Sequence, residues 1–236
     1  TCSHNEEHSD VEWKLLAKNN DGKLTVDGVA LPDNVLTEGN YYLAGDLELS
    51  DSIKTPGYTK VNLDLNGNTL TVNANTAAIF ISSGTKFTLC DCTVGQTGKV
   101  THGEGADGEP YTGCGVYVAA GSTFTMYGGS ITGNNSGYSN GGGVYVSATG
   151  TFNMYDGTIS DNTTAAYGGG VYLNSETKSD TTYKASFNMY GGSITNNAAN
   201  STNKSCGGGV YSQGTFTMKG GTITKNTAKY GGGVWT

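Results

Sequence analysis

The chain has 236 residues, 38 of them glycine, with 14% charged residues and a formal net charge of −7. All 13 basic residues are lysine, so a nucleic-acid partner, which calls for clustered Lys and Arg, is not expected. No apolar run approaches ~18 residues, the length a membrane-spanning helix needs.

Residues 1–38 precede the repeated part of the chain and read as an N-terminal cap. Cys2, His4 and His8 form a C-x-H-x3-H array. Thiolate and imidazole at that density suit structural zinc, with a fourth ligand from Cys90, Cys92, His102 or residues upstream. The plainer reading is a terminus whose soft ligands are incidental. Val11, Trp13 and Leu15 alternate with Glu12 and Lys14, which favours an extended segment covering the first coil. Ser9-Asp10-Val11-Glu12 also fits a helix capping box.

Residues 39–236 read as one continuous solenoid. The first half carries a divergent frame. Leu63 to Leu70 has the spacing of Phe124 to Ile131, and Ile79 to Phe87 has that of Val144 to Phe152. The loop 102–109 gathers Glu104, Asp107 and Glu109. It could offer oxygens to Ca²⁺, but its spacing matches no known calcium loop, and a solvated insertion is the simpler reading.

From residue 115 onward one sentence is repeated. It begins Gly-Val-Tyr-Val, passes through Thr-Phe-x-Met-Tyr-Gly-Gly-Ser-Ile-Thr and closes on Asn134. It returns at 143–162, at 170–197 with an insertion and at 209–226 with a deletion, and starts again at Gly231. Val116 and Val118 flank Tyr117, and Phe124 and Met126 flank Thr125, the period of strands with one buried face. Phe to Ile is always seven residues, whereas Ile to the next Val varies through 13, 12, 16 and 11. One corner is therefore a fixed turn and another a loop. Three short strands per unit make one coil of a right-handed parallel β-helix, the hand parallel crossovers take. Six to seven coils are expected, with Val116, Val144, Val171 and Val210 in one inward ladder and Phe87, Phe124, Phe152, Phe187 and Phe216 in another.

Three further features recur. Asn73, Asn134, Asn162, Asn197 and Asn226 each lie three residues after an inward Ile or Leu. They are expected to stack as a structural amide ladder. Phe80, Tyr117, Tyr145, Tyr172, Tyr211 and Trp235 form an aromatic file, and Tyr127, Tyr155 and Tyr190 a second. Stacked rings stabilise a solenoid by themselves; the functional reading is a platform for sugar rings or a partner protein. Thr and Ser flanking each inward Ile give a T-x-T array similar to that of ice-binding solenoids, and are equally ordinary solvent-face residues.

The Ile-x-x-Asn and Gly-Gly-Val-Tyr elements resemble the paired FxxN and GGA[IV] repeats of bacterial polymorphic outer-membrane and autotransporter-type β-helix proteins. The chain is more similar still to GGGVYV…GTFTMYGGTISGN repeats in large cell-surface proteins of Gram-positive, gut-type bacteria. In those, a Cys/His-rich segment and a GNYYL…LxLNG…LxDC…THG stretch come first. Here the same order runs through residues 2–8, 39–43, 63–67, 89–92 and 101–103. The resemblance implies an extracellular, surface-attached rod, and a chain that stops inside a repeat implies a longer parent protein. It says little about activity.

Catalytic chemistry is sparse. Many parallel β-helices of the pectate-lyase type cleave polysaccharides with calcium-binding aspartates and a basic residue, or with paired carboxylates. This chain has no arginine, and beyond Val116 its acidic residues are Asp156, Asp161, Glu176 and Asp180, at turns or in an insertion. Of five cysteines, Cys114 and Cys206 are about three coils apart and too far to bridge. Cys90 is expected in the outward slot of Tyr127 and Cys92 in the turn slot of Gly129. The reading is a non-enzymatic surface β-helix binding glycan or host protein. A lyase or hydrolase, an ice-binding rod and a plain spacer are the alternatives.

Overall fold

The computed structural model describes residues 12–201 and 205–236. It is a parallel β-helix. Three sheets run the length of the rod, each receiving one strand per coil, and seven coils contribute to all three. A complete coil is illustrated by Val116–Val118, Thr123–Met126 and Ser130–Thr132. These are called below the Val, Phe and Ile faces.

Backbone register turns the repeat into columns. Phe87, Phe124, Phe152, Phe187 and Phe216 are successive partners on the Phe face. Ile79, Val116, Val144, Val171, Val210 and Val234 follow on the Val face. Because alternate side chains leave a strand on opposite faces, each column points one way. Phe124, Phe152 and Phe187 are wholly buried, and their rings stack at 4.9 and 4.5 Å. One continuous apolar core joins all coils.

The first half departs from the expected frame in one respect. Leu63 stands opposite Leu89, and Leu89 opposite Met126, so Leu63 takes the methionine slot and Val61 the phenylalanine slot. The turn that follows is correspondingly longer, and it buries an additional side chain, Leu65. Cys90 does occupy the Tyr127 register, yet it is buried, because the chain from Asp91 to Gly98 forms an enlarged turn there.

The cap is extended. Trp13–Lys18 pairs in parallel with Gly39–Leu43, and Leu24–Val26 turns back against it. Its phase differs from expectation: Leu16, paired with Leu43, is the buried residue, while Leu15 is only partly covered. Leu16, Leu24 and Leu36 close the end of the core. No helix among the described residues is long and apolar enough to cross a membrane.

Candidate functional site

The aromatic file on the Val face is continuous. Phe80, Tyr117, Tyr145, Tyr172, Tyr211 and Trp235 stack with centroids 4.9, 5.0, 5.1, 5.3 and 4.8 Å apart. Neighbouring strands lie about 4.8 Å apart, so the backbone alone sets this spacing. At such a centroid separation near-parallel rings are offset, the arrangement aromatic pairs prefer.

The file is not exposed along its whole length. Tyr172 and Tyr211 are 5% and 6% exposed and form a small satellite core with Cys206, against which Tyr167 and Tyr145 pack. Tyr167 lies on the Tyr211 ring at 4.7 Å. The Tyr172 hydroxyl donates to Gln213 Oε1 at 3.1 Å. Burial, with the neighbouring phenols, pushes the Tyr172 hydroxyl up to about 12. Solvent reaches Trp235 at one end of the file and, at the other, the three rings of Phe80, Tyr117 and Tyr145.

Those three rings form one wall of a groove of about 480 Å³. Its other wall comes from three successive Ile-to-Val corners: Asn75 and Thr76, then Thr112 and Cys114, then Ser136, Ser139 and Asn140. The corners are tied together. Asn75 Oδ1 accepts from the Thr112 backbone N–H at 2.8 Å, Asn140 Oδ1 accepts from Tyr167 N–H, and Ser136 Oγ donates to the Ser139 carbonyl. The polar wall is therefore held in place, and it faces flat apolar rings. Burial raises the Cys114 thiol to about 12, so the groove's cysteine stays protonated and a poor nucleophile near neutrality.

The second file, Tyr127, Tyr155 and Tyr190, stacks at 4.9 and 4.6 Å and ends under the Lys219 ammonium, 5.1 Å from the Tyr190 ring. None of these three rings lines the groove beside Phe80, Tyr117 and Tyr145. On the Ile face, hydroxyls meet across coils, as at Thr132 and Ser160, 3.1 Å apart.

The amide ladder has four members, not five. Asn134 Nδ2 donates to Asn162 Oδ1, Asn162 to Asn197 and Asn197 to Asn226, at 2.9, 2.9 and 3.0 Å. Oδ1 of Asn162, Asn197 and Asn226 each also accepts the backbone N–H of the preceding ladder Asn. Asn73 stands apart, because the coil between offers Gly103 at that register and no amide. Its Nδ2 instead donates to Glu48. His102 takes the vacated place beside Asn134.

Among the described residues, potential metal ligands converge at one place, formed by Asp64, Cys90 and Cys92. Glu104, Asp107 and Glu109 make no such convergence. Their loop is a small hairpin in which Gly105 N–H donates to the Glu109 carbonyl. Cys2, His4 and His8 lie outside the described residues. Cys114 and Cys206 are free thiols.

Comparison of the chain with protein-family models, with curated proteins and with solved structures finds no match.

Proposed function

We propose that this chain is a non-enzymatic, extracellular module of a bacterial cell-surface protein, and that its groove binds a glycan. The observation that carries the reading is the groove's two-sided chemistry. Phe80, Tyr117 and Tyr145 are near-parallel and stacked on one another about 5 Å apart, so they offer the groove a ribbed apolar wall of ring margins against which sugar C–H groups can pack. Facing them are amides and hydroxyls of Asn75, Thr112, Ser139 and Asn140, suited to sugar hydroxyls. Mostly apolar walls with a few fixed polar groups are the usual make-up of a small-ligand site. The raised thiol at Cys114 and the scattered acidic residues support binding over turnover.

The repeat resemblance supports the placement on a Gram-positive surface. A glycan array followed by calorimetry tests the reading. Tyr117→Ser with Tyr145→Ser should abolish binding with the fold unchanged by circular dichroism. Binding unaffected by that pair would remove the groove from consideration. Release of new reducing or unsaturated ends from the bound glycan would make the module an enzyme.

A further inference from the structure

The groove carries no charge of its own. Its lining side chains are amides, hydroxyls, aromatic rings and the Cys114 thiol. Cys114 stays protonated near neutrality, and so does Tyr145, whose hydroxyl is raised by burial and then by its neighbours Tyr117, Cys114 and Glu176. On the polar wall, Asn75 Oδ1 accepts from the Thr112 backbone N–H and hydroxyl, and Asn140 Oδ1 accepts from the Tyr167 N–H. Both amides thereby keep their own N–H donors for the hydroxyl and ring oxygens of a ligand.

Charge begins at the rim. Asn75 and Thr112 form a ridge shared with a second pocket of about 240 Å³, whose lining includes the exposed residues Asp107 and Glu109. Asp107 Oδ1 accepts the Glu109 backbone N–H at 3.2 Å, which fixes the first of these carboxylates on the hairpin. Among the described residues neither is paired with a lysine. Lysine approaches the aromatic wall at two points, and each is already neutralised. Lys54, the strand partner of Phe80, pairs with Asp51, and Lys178 pairs with Glu176.

An anionic sugar entering this groove would shed water from its carboxylate or sulfate with no cation to replace it. The two rim carboxylates would add a repulsion that acts over distance and that salt screens. An uncharged sugar meets neither penalty. Repulsion of the wrong ligand is as much a source of specificity as contact with the right one. We propose that the groove selects uncharged glycans, built of hexose or N-acetylhexosamine units, over glycans bearing uronate, sialic acid or sulfate, and that Asp107 and Glu109 are specificity-determining residues at its rim. This inference rests on the glycan reading given above and names the class of glycan.

The test uses the full chain and matched pairs of oligosaccharides. One member of each pair is a neutral hexose or N-acetylhexosamine chain, and in the other a single C6 hydroxymethyl group is oxidised to a carboxylate. Calorimetry at low salt should show the neutral member binding at least tenfold more tightly. Asp107→Asn with Glu109→Gln, both at exposed positions, should narrow that gap at least twofold, and so should added sodium chloride. An acidic member that binds as tightly as its neutral partner overturns the proposal. A gap unchanged in the double variant overturns the role given to Asp107 and Glu109. Failure of the underlying reading looks different: no member of any pair binds, or binding survives Tyr117→Ser with Tyr145→Ser, and either result overturns both.

Discussion

Nδ1 of His102 lies 2.8 Å from Oδ1 of Asn134, while Nε2 of the same ring donates to the Thr76 carbonyl 2.7 Å away. The ring thus joins the first amide of the ladder to the corner that lines the groove. His102→Leu keeps comparable bulk but leaves the buried Asn134 Oδ1 and the part-buried Thr76 carbonyl without this partner. A loss of about 1–3 kcal/mol is expected, measured from urea midpoints. His102→Gln should recover part of it. Equal stability of the leucine variant would show that the bridge is dispensable.

Phe152→Ala empties a fully buried site between two stacked rings, Phe124 and Phe187. The expected cost is about 3–5 kcal/mol. Tyr145→Ala removes a half-buried ring with two stacking contacts, each worth about 0.5–1.5 kcal/mol, and should cost less. Chemical denaturation of the two variants fixes the order; a reversed order would contradict the facing assigned to these columns.

Gly170 stands where an added Cβ would lie 2.6 Å from the Gly209 carbonyl oxygen of the next coil. Gly45 has nothing within 4 Å and does not need a left-handed backbone. Gly170→Ala should lower stability by at least about 1–3 kcal/mol, and Gly45→Ala should leave the thermal midpoint nearly unchanged.

Alkali should weaken the fold. Burial raises Cys114 from 9.0 and Tyr172 from 10.0, each to about 12. Above the unfolded values the unfolded chain loses these protons while the folded chain keeps them, so stability falls as pH rises. The contribution is complete below about pH 9 and is lost on approach to pH 12. Melting curves across that range, compared with a Cys114→Ala variant, would show a shallower decline in the variant.

The strands Ser175–Lys178 and Thr181–Lys184 form an exposed hairpin inserted between a Val-face and a Phe-face strand. Its ends meet, since Ala185 N–H donates to the Asn174 carbonyl at 2.9 Å. Replacing residues 176–183 by two glycines should therefore change stability by less than about 1 kcal/mol. Calorimetry on the shortened chain checks this, and a large loss would give the hairpin a packing role.

Much of the fold was legible because the Phe-to-Ile spacing never changes. Fixed spacing forces Phe124, Phe152 and Phe187 into one column, and the paired register follows. The shift at Leu63 was not legible for a specific reason. A one-residue slip turns every side chain to the other face, but a two-residue slip preserves the inside–outside pattern. Only the length of the turn beyond Asp64 separates the two registers. Asn73 misled in a related way: its spacing from Leu70 is right, but a ladder needs an amide in the adjacent coil, and Gly103 supplies none. The rings of the groove could be read as a file. The burial of Tyr172 and Tyr211 could not, because it depends on Tyr167 and Cys206 from variable corners. The polar wall of Asn75, Thr112 and Ser139 lacks any periodic signature at all.

That wall sits in the Ile-to-Val corners, the segments whose length changes from coil to coil. The columns of Phe, Val and Gly that hold the rod together lie elsewhere in each coil, and copying a coil copies them unchanged. On the proposed reading, the groove's polar wall and the scaffold's columns would occupy separate stretches of the coils that line it. Mutation in the corner beyond the ladder Asn would then retune what the groove accepts while leaving the Phe, Val and amide columns in place. If the groove binds as proposed, a lineage that duplicates such coils would vary its specificity on a framework whose stability has already been settled.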